Sequence, residues 1–204
     1  MKKLLVLLFS LFFLSSPSVF ADDISDFSIE GISLGDSLLD YMTEEEILKE
    51  IETNKDYYLN LKEPYKYAEV YSFKDFQSYG SLAFLIKNNS TSKYITNKSN
   101  KYTILSIRGL IGFTEDFNGC IEKRDEIAKD LSKVFPNAKK SESDFVDSYD
   151  NTIIDGVYFK FDSGAESKVV CHDYEETVRI KNNWVDNLSV AIQYEEIINW
   201  LKDD

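Results

Sequence analysis

Residues 102–136, YTILSIRGLIGFTEDFNGCIEKRDEIAKDLSKVFP, constrain the chain more than any other stretch. They read as one strand running into one long amphipathic helix. Leu105, Ile107, Ile111 and Phe113 recur at period two, which places them on one side of a strand, with Ser106 and Arg108 on the other. Gly109 interrupts the buried side, where a bulge or a close backbone approach is expected. Thr114 is then the expected N-cap, with Glu115 and Asp116 in the first turn, where carboxylates suit the helix dipole. Phe117, Cys120, Ile121, Ile127, Ala128, Leu131, Val134 and Phe135 follow at threes and fours, and Pro136 ends the helix. Arg124 breaks this stripe from an inward position. The plainer reading packs its stem and lets its head reach water. The alternative is a buried guanidinium paired with a carboxylate or a ligand anion.

The start, MKKLLVLLFSLFFLSSPSVFA, has a basic pair, a short apolar run and a small-residue cleavage site. This is the pattern of a secretory signal peptide over residues 1–21, cut after Ala21, too short and wrongly flanked for a membrane span. The expected product is a single exported domain over residues 22–204, periplasmic or secreted, with no membrane span. The dilysine start and the lysine-, asparagine- and isoleucine-rich usage fit a bacterial chain. An oxidising compartment makes the two cysteines, Cys120 and Cys171, a disulfide that staples the long helix to a C-terminal strand.

Charge narrows the partners. The formal net charge is −13, and removing Lys2 and Lys3 leaves −15. Such a field repels phosphate backbones and anionic lipid, so nucleic-acid binding is disfavoured. Residues 87–101 reverse the charge locally, with Lys87, Lys93, Lys98 and Lys101 and no acid. A solvated loop is the plain reading, and a docking patch for an acidic partner the sharper one. Residues 57–79 are rich in aromatics, among them Tyr65, Tyr67 and Tyr71. They suit either a sheet's core and edge or a platform for sugars and other small ligands.

Other elements follow in order. Thr43-Glu44-Glu45-Glu46 forms a capping box that opens a helix to about Glu52, with Ile47, Leu48 and Ile51 inward. Strands are expected at 68–73, 81–87, 157–161, 168–174 and 188–194, and a short closing helix at 195–201. Residues 137–143 read as a polar link. The fold class is therefore α+β: antiparallel sheet packed against one long and one or two shorter helices. Two helix-plus-three-strand halves, 27–101 and 102–204, are an alternative organisation, suggested by Gly-Ile and Gly-Leu steps ahead of each helix.

The catalytic inventory is thin. His172 is the only histidine and lies beside Cys171, where it reads as a surface or edge residue. It cannot build a multi-histidine metal site. No nucleophile elbow, phosphate loop or dinucleotide fingerprint is present. Asp144, Asp147, Asp150 and Asp155 are spaced acids that do not match a calcium loop. No catalytic residue, metal or cofactor is expected.

The opening FSIEGISLGDSLLDYMTEEEI resembles the start of small exported bacterial proteins of unknown function. More distantly it is similar to BamE/SmpA-like and beta-lactamase-inhibitor-like envelope domains. The resemblance implies a helix-plus-antiparallel-sheet module that binds other proteins. The lipid-anchor cysteine typical of the BamE group is missing. The expected function is a non-catalytic protein-binding module whose partner is another envelope or secreted protein. A periplasmic binder of small ligands or sugars through residues 57–79 is the alternative, and a carboxylate-type hydrolase ranks last.

Overall fold

The structure, a computed structural model, describes residue 24 and residues 27–87, 100–148 and 150–202. The signal peptide expected over residues 1–21 lies outside these, as do Lys93 and Lys98. A small hairpin, β1 (Ser28–Ile29) and β2 (Ile32–Ser33), opens the fold and leads through a 3-10 turn, Leu38–Asp40, to α1 (Glu44–Asn54). β3 (Tyr67–Ser72), β4 (Ser81–Lys87) and β5 (Ile104–Gly112) precede the long helix α2 (Phe117–Val134). Then come β6 (Lys139–Val146), β7 (Ile153–Lys160), β8 (Glu166–Asp173), α3 (Glu176–Asn182), β9 (Asn187–Gln193) and α4 (Glu195–Leu201). The fold is α+β: β3 to β9 form one antiparallel seven-stranded sheet in the order β3-β4-β5-β9-β8-β7-β6. Among the described residues no helix is long and apolar enough to cross a membrane.

The two faces of the sheet differ. α1 lies against β3, and α2 crosses β7, β8 and β9, on what we term the helix face. The main core forms there, from Ala68, Val70, Leu82, Phe84, Ile86, Ile107, Val157, Phe159, Val169, Leu188, Val190 and Ile192 against Ile47, Ala128 and Leu131. On the other face, α4 covers one corner: Ile197 and Trp200 pack on Leu61, Tyr67, Leu85 and Leu105. Away from that corner we term this side the helix-free face.

Two tethers hold α2 to the sheet. Cys120 and Cys171 form the expected disulfide, with Cα atoms 6.0 Å apart. One turn further along, Arg124 donates to Asp155, the residue directly opposite Cys171 in the β7–β8 ladder, and to Asp125 at 2.7 Å. Its side chain is only 11% exposed. The guanidinium is thus paired and covered, not lifted into water. A methylene stem alone would leave a buried cation unneutralised, so the carboxylate comes with it.

Several expectations need correction. Asp116 caps α2, not Thr114: its carboxylate accepts from the Gly119 amide at 3.0 Å. Leu48 is exposed, because the inward stripe of α1 runs through Ile47, Ile51 and Asn54, whose side-chain amide reaches the Glu69 carbonyl at 3.2 Å. Residues 139–146, expected mainly as a link, form a full strand. β6 is an edge strand with every residue exposed, so it shows no alternation for a sequence pattern to reveal. Asp144 and Asp155 face each other across that ladder instead of lining a loop. The apolar–polar alternation of residues 188–194 reads as a half-buried strand, whereas β9 is central and its residues 188–193 are all buried. Leu105 leaves the face of Ile107. The β4–β5 register slips between Leu85 and Ile86, so Leu105 is the extra residue of a bulge and turns toward α4.

Gly109 marks a close approach, since a Cβ there would stand 2.4 Å from the Tyr79 ring. Gly109→Ala should therefore destabilise by about 1–3 kcal/mol through overpacking. In combination with Tyr79→Ala the alanine should add little, and a strictly additive pair in denaturant titration would refute this contact. Removing both cysteines should lower stability by about 4 kcal/mol, the chain-entropy expectation for a loop of this size. Unfolding titrations of the oxidised protein and of Cys120→Ala/Cys171→Ala measure it.

Candidate binding face

The face without a helix is built from residues that each strand points away from the main core. The register draws them into rows. One row crosses the whole sheet: Tyr71, Ala83, Arg108, Ala191, Lys168, Tyr158 and Ser141 stand side by side on β3, β4, β5, β9, β8, β7 and β6. A second row nearer the α3 end runs Asn187, His172, Ile154, Phe145. Arg108 and Lys168 flank Ala191, which sets their backbones about 10 Å apart, two strand spacings.

The floor is small and the walls are long. Ala83 and Ala191 are 2% and 1% exposed with no helix above them. Long side chains from their own and neighbouring strands cover them. The Arg108 Nη2 donates to Glu69 Oε1 at 2.7 Å and to the Tyr71 hydroxyl at 3.2 Å. Tyr58 donates to the other Glu69 oxygen at 3.1 Å. Tyr174 stacks beside His172, with ring centroids 6.0 Å apart, and Trp184 leans on Tyr174 at 4.9 Å. Phe73 stacks on Tyr71 at the far rim.

The electrostatics follow from this crowding. Burial works against the Arg108 charge, yet Glu69 and the tyrosines around it hold the guanidinium above its ordinary value. Burial raises Tyr58, Tyr71 and Tyr174, so all three remain neutral hydroxyls. Burial also lowers Lys168; Glu166 opposes the shift and Arg108 adds to it. Among the described residues Lys168 has no hydrogen bond or ion pair. His172 is pushed down to about 4 by burial, then by Arg108 and Lys168, and its Nδ1 is buried without a partner among the described residues. The face thus presents a paired guanidinium, an ammonium with no ion pair among the described residues and a neutral imidazole, framed by aromatic rings. Groups of this kind are chemically suited to anions and planar groups.

The residues expected from the sequence divide. Tyr71 belongs to this face. Tyr67 is buried under α4, its hydroxyl donating to Glu196 at 3.2 Å and its ring against Trp200. Tyr65 is exposed. A cavity of about 20 Å³ beneath Tyr58, Tyr65 and Tyr67 has room for one water. Lys101 pairs with Glu44 at 3.2 Å, and Lys87 ends β4 in solvent. Arg124 serves the α2 tether on the opposite face. Glu69, Arg108, Lys168, His172 and Tyr174 were not identified as a group, and His172 sits in an interior strand, not at an edge. The signal that could have found four of them is parity: Glu69, Arg108, Lys168 and His172 stand at strand positions out of phase with apolar neighbours, and Tyr174 follows just past the end of β8.

The His172 shift makes a pH prediction. The group is protonated more easily in the unfolded chain than in the fold, so its contribution is intact above pH 6.5 and lost as pH falls toward 4. His172→Gln should therefore lose less stability than wild type across that window, by about 1–3 kcal/mol at its acid end. Parallel unfolding titrations at pH 7 and pH 4 measure the difference, and equal losses would show that the imidazole is not held neutral.

Compared with protein-family models, curated proteins and solved structures, the chain finds no match.

Proposed function

We propose that the protein is a non-catalytic binding module of the extracytoplasmic space, and that its helix-free sheet face takes another protein presenting acidic side chains. One observation carries this reading. A half-buried ammonium with no ion pair among the described residues stands beside a guanidinium on a face rimmed by exposed aromatics, in a chain whose net charge is −13. Trp184 and Phe145 remain 44% and 48% exposed at one end of this face. Protein interfaces are enriched in tyrosine, tryptophan and arginine and concentrate their binding energy in such residues. The apparent signal peptide and the disulfide support an oxidising location outside the cytoplasm.

A photo-crosslinking residue placed at Trp184 or Phe73, in cells that make the protein, tests the reading. Both positions should give a discrete adduct, and Glu122 on the exposed side of α2 should not. Lys168→Glu in the Trp184 background should weaken the adduct about tenfold or more, since reversing a charge at a complementary contact removes an attraction and adds a repulsion. Equal adducts from both sides of the molecule, untouched by Lys168→Glu, would end the proposal.

A further inference from the structure

The far edge of the sheet carries a second surface, independent of the face just described. β6 pairs with β7 from Lys139↔Lys160 to Val146↔Ile153 without a register shift, contains no proline, and is exposed at every residue. The Asp147 amide donates to the Thr152 carbonyl directly opposite it, at 2.8 Å. Odd-numbered residues of β6 therefore turn their backbone groups toward β7, and even-numbered ones turn theirs outward. Lys140, Glu142 and Asp144 thus present N–H and C=O groups along an edge that no strand covers among the described residues.

We propose that β6 pairs antiparallel with β6 of a second copy of this chain, about a two-fold axis at Ser141, to make one sheet continuous through both copies. The occupant follows from charge. A two-fold pairing places residue i opposite a residue of the same side-chain parity. Centred on Ser141, it sets Lys140 of each copy against Glu142 of the other, and these are residues whose backbone groups point outward. Both side chains stand on the helix face, opposite Phe159 and Val157 of β7. Within one copy they already lie 2.9 Å apart, so the joint becomes an alternating quartet of two ammonium and two carboxylate groups. Neighbouring registers fail. Centring on Lys140 or Glu142 opposes like charges directly, and centring on Ser143 sets Glu142 against Asp144. Lysines on an edge usually prevent such pairing, because they meet no counter-charge. Here the same segment supplies the counter-charge two residues away.

Sedimentation equilibrium of the purified full chain up to about 1 mM, with amide exchange as the direct readout, tests the inference. A monomer–dimer equilibrium is expected, and the Lys140 and Glu142 amides should exchange more slowly as concentration rises. Lys140→Glu should weaken the dimer about tenfold or more, as should Glu142→Lys, while Lys140→Glu/Glu142→Lys together should restore it. All three changes are at exposed positions, and circular dichroism checks that the fold persists. A strictly monomeric wild type, or a dimer indifferent to the single charge reversals, overturns the inference. Neither outcome bears on the helix-free face, whose crosslinks are read separately.

Discussion

The seat of α2 on the sheet decides the rest of the architecture. The disulfide from Cys120 to Cys171 and the ion pair from Arg124 to Asp155 are one helical turn apart on α2 and directly opposed on β8 and β7. Together they fix both the position and the rotation of the helix, which a single tether would leave free to swivel. With that rotation set, Ala128 and Leu131 meet the centre of the main core, and Phe135 closes its end between Phe27 and Phe161. The helix stripe is spent on one side of the sheet. What remains for the other side is α4, seven residues long, which covers a corner.

A sheet with one helix-free face must still keep its small residues out of water. Here it does so with its own long side chains. Ala83, Ala191, Ser189 and Val170 are almost fully buried on this face, where the register stands Tyr71, Arg108, Lys168 and Tyr158 beside them. Aliphatic stems and ring faces do the covering, and the polar ends look outward. The arrangement solves a packing problem and produces a chemically distinctive surface by the same means. The bulge at Leu105 matters to both. By turning one residue of β5 toward α4 it completes the second core, and it sets the phase that places Arg108 on the helix-free face.

Much of the fold was legible because local rules and tertiary demands agreed. The capping box at Thr43, the apolar run of β4 and the closing helix at 195–201 are found where their residues put them. So is the sulfur bridge, since two cysteines allow only one pairing within the chain. Legibility failed where a residue's role depends on something far away in sequence. β6 has no buried side and is a strand only because β7 lies beside it. Leu105 obeys period two until its partner strand slips. The candidate face is the extreme case. Arg108 comes from one side of α2 and Lys168 and His172 from the other, and they meet because β9, the last strand, inserts between β5 and β8. No spacing in the chain encodes that insertion.

The pairing of the other cations sharpens the meaning of Lys168. Lys55, Lys66, Lys123, Lys133 and Arg179 each meet an acid three residues away, the cheap local solution on an exposed surface. Arg124, 11% exposed on α2, recruits Asp155 from β7, and Arg108 on β5 recruits Glu69, itself 5% exposed, from β3, so that each enclosed charge is neutralised across elements. Lys168 follows neither pattern. It is enclosed enough for burial to lower its affinity for its proton, and it stands next to a second cation that lowers it further, in a chain whose acids outnumber its bases 36 to 23. Folding alone would favour an acid or an apolar residue at that position. Among the described residues no carboxylate forms an ion pair with this charge, and the tyrosines beside it are held neutral, which is why Lys168 stands at the centre of the proposed binding reading.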